Sequence, residues 1–262
     1  MSKQPQTWHH GLVAEWWSEF AVGGDEIEFF GRFVAEGQPA LDAGCGTGRM
    51  LRPWLRAGYD VDGTDVSADM IERTAARARE EGFDPTLLVQ PLHGLDPARR
   101  YRTVVACGVF GIGSTRVQDE QALRRLHDVL EEGGTLVLDK EVPYADARRW
   151  PYWADAASLP EPWPESEPRR VSGGSELRLR TRVTAVDPLD QTIAYDMWAQ
   201  RLRDGEVVEE ERYTLTERMY FRDELVFLVE RAGFGEVEVR GGYDDAEPRP
   251  DHEFLVYIGR KR

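Results

Sequence analysis

The chain has 262 residues, 41% of them hydrophobic, which suffices for one large domain or for a core domain carrying an insertion. Its net charge of −15 argues against nucleic acid and anionic membrane surfaces as partners, because both are held largely by neutralising phosphates. No apolar run approaches the ~18 residues of a membrane span, the polar start of the chain lacks a signal-peptide pattern, and its two cysteines, Cys45 and Cys107, lie outside any CxxC or Cys/His cluster, so a cytoplasmic protein without disulfide or metal is expected.

Two helical stretches open the chain. Residues 12–20 are rich in aromatics (Trp16, Trp17, Phe20), and a second helix begins near Asp25 with Ile27, Phe30, Phe33 and Val34 at helical spacing. From Pro39 onward short apolar strands alternate with helices. The strands are 40–42, 59–64, 86–90, 103–107 and 135–139; the helices are 49–57, 67–81 (Ser67 as N-cap) and 118–131, with Gly133-Gly134 breaking the chain before the last strand. Strands separated by crossover helices predict a parallel, doubly wound sheet.

Residues 143–170 change character, with six prolines and with Trp150, Trp153 and Trp163 in an irregular, partly helical segment. An antiparallel meander follows. Leu177, Leu179, Val183 and Ala185 alternate with Arg178, Arg180 and Arg182; beyond the turn at 187–190, Ile193, Tyr195 and Met197 alternate with Ala194, Asp196 and Trp198. Matching the apolar faces sets Val183 opposite Tyr195, which pairs Arg182 with Asp196 and Arg180 with Trp198 on the reverse face. Those arginines therefore read as the outer face of a cap and not as an anion site. The chain closes with a helix over 222–232 and a strand pair over 236–239 and 253–258.

The chemistry concentrates in Asp42-Ala43-Gly44-Cys45-Gly46-Thr47-Gly48, between the first strand and its helix. Glycines at alternate positions let the backbone turn tightly and approach a ligand, and the helix N-terminus presents free N–H groups. Asp65, 21 residues after Gly44 at the end of the second strand, stands where a carboxylate accepts from both ribose hydroxyls of an adenosine. Asp42 suits a cationic ligand group and would repel a pyrophosphate, which separates a sulfonium cofactor from a dinucleotide.

These motifs resemble the class I S-adenosylmethionine-dependent methyltransferases. The stretch 40–49 is similar to their first motif and 61–71 to their second; 130–136 resembles their late "PGG" turn, with Glu132 in place of the proline, and Arg231-Ala232-Gly233-Phe234 resembles their "AGF" segment. The aromatic first helix and the meander after the fifth strand narrow the likeness to small-molecule enzymes such as the glycine and aminosugar N-methyltransferases. The resemblance implies an α/β fold: a doubly wound, mostly parallel, seven-stranded Rossmann-like sheet with an antiparallel β cap inserted after strand 5. It divides the chain into a helical lid (1–37), a cofactor-binding core (38–142 and 219–262) and a substrate cap (143–218).

It also implies residue roles. Gly44, Cys45, Gly46 and Gly48 would run beneath the methionine part of S-adenosylmethionine, with Asp42 on its amino group. Asp65 would take the ribose, Val66 and Met70 would lie against adenine, and Gln90, Pro91 and Leu92 would touch the adenine edge. Cys107 and Gly108 would flank the methyl, and Trp17, or its neighbour Trp16, would meet the cofactor. Because the sulfonium is already activated, no dedicated catalytic residue is required. Glu141 and His93 are the weak candidates for proton transfer, and Glu141, Tyr144, Trp153 and Tyr220 those for substrate contact. The expected activity is methyl transfer to a small-molecule amine or hydroxyl, by a monomer or homodimer. A non-catalytic S-adenosylmethionine-binding regulator is the alternative. An NAD-dependent oxidoreductase is the weaker one, since Arg49 stands where a G-x-G-x-x-G loop has its third glycine.

Overall fold

A computed structural model of the chain describes residues 7–146, 148–235 and 237–262. These fall into two compact units, one comprising Val22–Phe110, Arg116–Ala145 and Tyr220–Arg262, the other the described residues up to Ala21 with Gly111–Thr115 and Asp146–Met219.

The first unit is the α/β core. Its elements in chain order are α2 (Asp25–Glu36), β1 (Ala40–Ala43), α3 (Leu51–Arg56), β2 (Val61–Asp65), α4 (Ala68–Glu80), β3 (Leu87–Val89), β4 (Tyr101–Ala106), α5 (Arg116–Asp128), β5 (Leu130–Glu141), α7 (Arg222–Arg231), β10 (Glu238–Gly241) and β11 (Phe254–Arg260). The strands form one seven-stranded sheet in the order β10-β11-β5-β4-β1-β2-β3, parallel except at β11, which runs antiparallel to both neighbours. The order reverses between β1 and β4, and such a switch point opens a crevice at the carboxyl ends of the strands.

Side-chain alternation along the strands builds a layer on each face. Ala40, Val61, Val105, Val137 and Val256 point toward Phe29, Phe30, Leu51 and Trp54 of α2 and α3. Leu41, Val104, Leu136, Leu138 and Tyr257 point the other way, toward Leu123 and Leu126 of α5 and Leu225 and Leu228 of α7. Each of these fully buried large side chains contributes about 1.5–3 kcal/mol.

Most boundaries shift by a residue or two, and the largest differences fall between α5 and β5. The helix expected to run to 131 ends at Asp128, and Leu130 already pairs with Tyr101 of β4; the ladder then resumes at Thr103 with Thr135. Gly133-Gly134 is therefore a bulge inside β5 and not a break before it. A side chain at Gly134 would come within 2.9 Å of the Glu131 carbonyl oxygen, so the bulge requires a residue without Cβ. The penultimate strand covers 238–241 where 236–239 was expected, and Glu236 lies outside the described residues.

The second unit holds α1 (Gly11–Phe20), α6 (Trp150–Ala154) and a four-stranded antiparallel sheet of β6 (Arg169–Arg170), β7 (Glu176–Asp187), β8 (Thr192–Arg203) and β9 (Glu206–Arg218). Val183 pairs with Tyr195, Arg182 with Asp196 and Arg180 with Trp198, the register the alternation demands; a bulge between Val183 and Ala185 then shifts it, so Ala185, expected on the inner face, is exposed and Val186 is buried instead. Arg182 forms an ion pair with Asp196 at 3.1 Å, and the Arg180 guanidinium sits 4.0 Å from the Trp198 ring centroid. On the opposite face, Leu177, Met197 and Ala199 bury Leu12 and Val13 of α1. Arg201 clamps Glu15 of that helix through two 2.8 Å bonds. Of the two helices in the segment expected as a lid, α1 belongs with the antiparallel sheet and α2 with the core.

Candidate active site

β1 ends in Asp42, and the chain turns through the glycine loop before α3. The turn is held by backbone bonds from Gly44 and Cys45 to the Thr64 carbonyl, at 2.7 and 2.9 Å. Gly44 adopts φ +90°, and a Cβ there would meet Val109 Cγ1 at 2.3 Å. Gly46 adopts φ +54°, and a Cβ there would meet nothing within 4 Å. The first glycine is thus needed for packing, and the second keeps open space above the loop. Gly44→Val is expected to unfold the core, whereas Gly46→Val, strained at φ +54° but free of overlap, should fold with lower stability and lose cofactor binding, as thermal denaturation with and without ligand would show.

Asp42 is 1% exposed, and neither of its carboxylate oxygens has a hydrogen-bond partner. Burial, reinforced by the charge of Asp65 and opposed by the Leu51 backbone amide, which faces the carboxylate without meeting hydrogen-bond geometry, pushes its carboxyl up to about 7. An orphaned buried carboxylate is costly unless a cation completes it. Asp65 is half-buried at the end of β2, where Oδ2 accepts from Gly46 N–H at 3.0 Å and Oδ1 from Ser67 N–H at 2.8 Å. It therefore ties the loop to the start of α4. Ser67 caps α4 by accepting from Met70 N–H at 3.2 Å, and Met70 is itself buried.

Gln90 continues the β2–β3 ladder through its N–H to the Asp65 carbonyl (2.9 Å), while its side chain caps Asp96 N–H (3.0 Å). Pro91 and Leu92 lead into a short 3-10 turn, and Leu92 packs on the core face of α5. His93 in that turn lies 3.4 Å from the Gln118 side-chain amide. Val66 follows Asp65, half-buried. Asp42, Asp65, Val66, Gln90 and the loop glycines thus gather at the carboxyl ends of β1, β2 and β3.

Beyond β4, Cys107 and Gly108 are fastened to a residue the sequence reasoning passed over. Asp139 of β5, 5% exposed, accepts from Gly108 N–H at 2.5 Å and from Cys107 Sγ at 3.3 Å, and the Tyr243 hydroxyl donates to it as well. Burial and the neighbouring Asp139 charge push both the Cys107 thiol and the Tyr243 hydroxyl well above their ordinary ranges, so each keeps its proton. Arg49, which also reaches Cys107 Sγ at 3.8 Å, forms an ion pair with Glu26. A carboxylate interrupting an apolar strand is the available signal for Asp139; nothing in the sequence points to Tyr243.

The substrate candidates fall in both units. Glu141 ends β5 opposite Phe254, and Tyr144 lies 38% exposed against Phe221. Tyr220 is not a pocket residue: it is 1% exposed in the core, and its hydroxyl donates to the buried Asp119 carboxylate at 2.6 Å. Its place just after β9 suggested a pocket, but the phenol is held inside the α5–α7 layer. Trp153 packs against the antiparallel sheet in the second unit, as does the helix bearing Trp17, which is 38% exposed. Among the described residues no cluster of three His, Cys, Asp or Glu could hold a metal, and no helix is long and apolar enough to cross a membrane.

Residues 40–134, the span from β1 through the glycine loop to the β5 bulge, match the methyltransferase-domain family. That span is similar to a methyltransferase domain. A ubiquinone biosynthesis O-methyltransferase from Bradyrhizobium sp. (strain ORS 278) is 32% identical over 99 residues, 37% of this chain and 38% of that one. The chain spans about two fifths of the length of the curated relatives it matches. Over the whole fold, an S-adenosylmethionine-dependent methyltransferase from Clostridium acetobutylicum superposes with TM-score 0.68 at 16% identity, covering 90% of this chain and 92% of that one. A sugar N-methyltransferase from Streptoalloteichus sp. gives 0.65 at 18%, covering 91% and 87%. The fold of this chain is thus shared with these proteins.

Proposed function

We propose that this chain transfers a methyl group from S-adenosylmethionine to a small-molecule acceptor, an amine or hydroxyl. The observation that carries the reading is Asp42, a buried carboxylate without a partner beneath a glycine loop whose other wall is Asp65. The donor set fits the cofactor: Asp42 would hold its ammonium, Asp65 its ribose hydroxyls, and the open space above Gly46 its methionine chain. When bound, the cofactor supplies a methyl on a positively charged sulfur with a good leaving group. The chain's own part is to orient and to shield. Asp42 fixes the amino-acid end, Asp65 holds the loop and the ribose, and Asp139 locks the Cys107-Gly108 turn. Such alignment alone is worth roughly 7–11 kcal/mol of barrier, so no residue need act as a base unless the acceptor arrives protonated.

An amine acceptor is the narrower reading. It is supported by the likeness of the fold to a sugar N-methyltransferase, an amino pentose methyltransferase and a glycopeptide N-methyltransferase. The test is thermal denaturation with S-adenosylmethionine, S-adenosylhomocysteine and NAD, then turnover against a panel of amines, phenols and carboxylates. The two adenosyl ligands are expected to raise the melting temperature and NAD to leave it unchanged; stabilisation by NAD alone would overturn the reading. Cofactor binding without turnover on any acceptor would favour a regulator.

A further inference from the structure

The donor and product forms of the cofactor differ by one charge: the methylated sulfur is cationic, and the thioether left behind is neutral. A site that senses this difference needs fixed negative charge near the sulfur, over and above the groups that hold the amino acid and ribose common to both. Side-chain alternation puts Asp42, Cys107 and Asp139 on one face of the sheet, the face of Val105 and Val137. Asp42 pairs with Val105 of β4, and Leu138 with Ala106, so Cys107 and Asp139 stand side by side one step beyond, at the carboxyl ends of the strands. We infer that Asp139 is a specificity-determining residue whose buried charge, delivered beside the Cys107-Gly108 turn, makes the site prefer the sulfonium donor to the neutral product.

Three features of the structure serve this role. Asp139 is anchored by three donors, Gly108 N–H, Cys107 Sγ and the Tyr243 hydroxyl, so its position is fixed before any ligand arrives. All three donors are neutral groups, so they stabilise the charge without cancelling it. The nearby cation, Arg49, is engaged by Glu26. Tyr243 is itself wedged among Phe29, Phe30 and Phe254, with ring centroids 5.6, 5.5 and 4.3 Å away, which holds its hydroxyl over the carboxylate. In so dry a setting one charge acts over several ångströms. Its consequence is easier release of product after each transfer.

The inference rests on the cofactor assignment, and the experiment separates the two. Dissociation constants for S-adenosylmethionine and S-adenosylhomocysteine are measured by calorimetry on wild type, Asp139→Asn and Tyr243→Phe. If wild type binds neither ligand, the cofactor assignment fails. If wild type binds, Asp139→Asn is expected to weaken S-adenosylmethionine about tenfold while S-adenosylhomocysteine changes less than twofold. A parallel loss of both would mean that Asp139 merely holds the turn in shape, and unchanged affinities would mean its charge is not felt; either overturns the inference. Tyr243→Phe keeps the charge and removes one donor, so the preference for the sulfonium should persist or grow. A fall in that preference overturns the inference too, and this arm stands even if Asp139→Asn does not fold.

Discussion

Replacing Asp42 with asparagine is expected to make the ligand-free protein more stable and to cost it most of its cofactor affinity. The carboxylate is buried and unpartnered, and its ionisation is pushed up to about 7 by burial and by Asp65. A carboxyl whose folded-state value lies above its unfolded one favours the folded state when protonated. Its penalty is therefore absent below the unfolded value, grows as pH rises from about 4, and is complete above about 7. Removing the charge at pH 8 should recover about 1–3 kcal/mol, a rise of roughly 2–10 °C in the melting temperature for a chain of this size. The same carboxylate is what a ligand ammonium pairs with, so Asp42→Asn should weaken S-adenosylmethionine and S-adenosylhomocysteine alike, by about 2–4 kcal/mol. In the wild type, affinity for both should fall as pH drops below about 7, because protonating Asp42 competes with the ammonium. Calorimetry at pH 6 and 8, alongside thermal unfolding of the two proteins, checks each part. A less stable Asp42→Asn with undiminished affinity would show Asp42 to be a structural residue.

Much of this arrangement was legible in the sequence because local rules govern it. The alternation of 40–42, 59–64 and 103–107 with helices fixes a parallel sheet; the loop glycines and Asp65 sit at its switch point because β1, β2 and β4 are neighbours. The cap register followed from matching apolar faces, and the Arg182–Asp196 pair resulted. What escaped was long-range. Asp139 and Tyr243 are separated by 104 positions, and only the β5–β11 pairing and the turn after β10 bring them together. Tyr220 misled because adjacency to a strand end says nothing about which layer a side chain enters; Asp119, a turn into α5, draws it inward. The 131–134 bulge failed for a similar reason, since two glycines after a helix read as a terminator unless the partner strand is known.

Asp65→Ala is expected to weaken every adenosine-containing ligand by about 2–4 kcal/mol, through two effects that can be pulled apart. The carboxylate is where ribose hydroxyls would donate, and it also braces the loop by accepting from Gly46 and Ser67 N–H groups at 3.0 and 2.8 Å. Removing it leaves those donors unpaired and frees the loop, which should lower the stability of the ligand-free protein by about 1–2 kcal/mol. Asp65→Asn keeps one carbonyl acceptor but turns the other contact into a donor facing a donor, so it should behave nearly as badly. The separating ligand is 5′-methylthioadenosine, which carries the ribose and lacks the amino acid. Asp65→Ala should lose it, whereas Asp42→Asn should bind it as wild type does, having no ammonium to hold. Asp139→Asn, acting through the charge on sulfur, should also leave it unchanged. If Asp65→Ala retains 5′-methylthioadenosine while losing S-adenosylmethionine, the ribose assignment is wrong, and Asp65 matters only as the brace that keeps Gly46 and the methionine path in place.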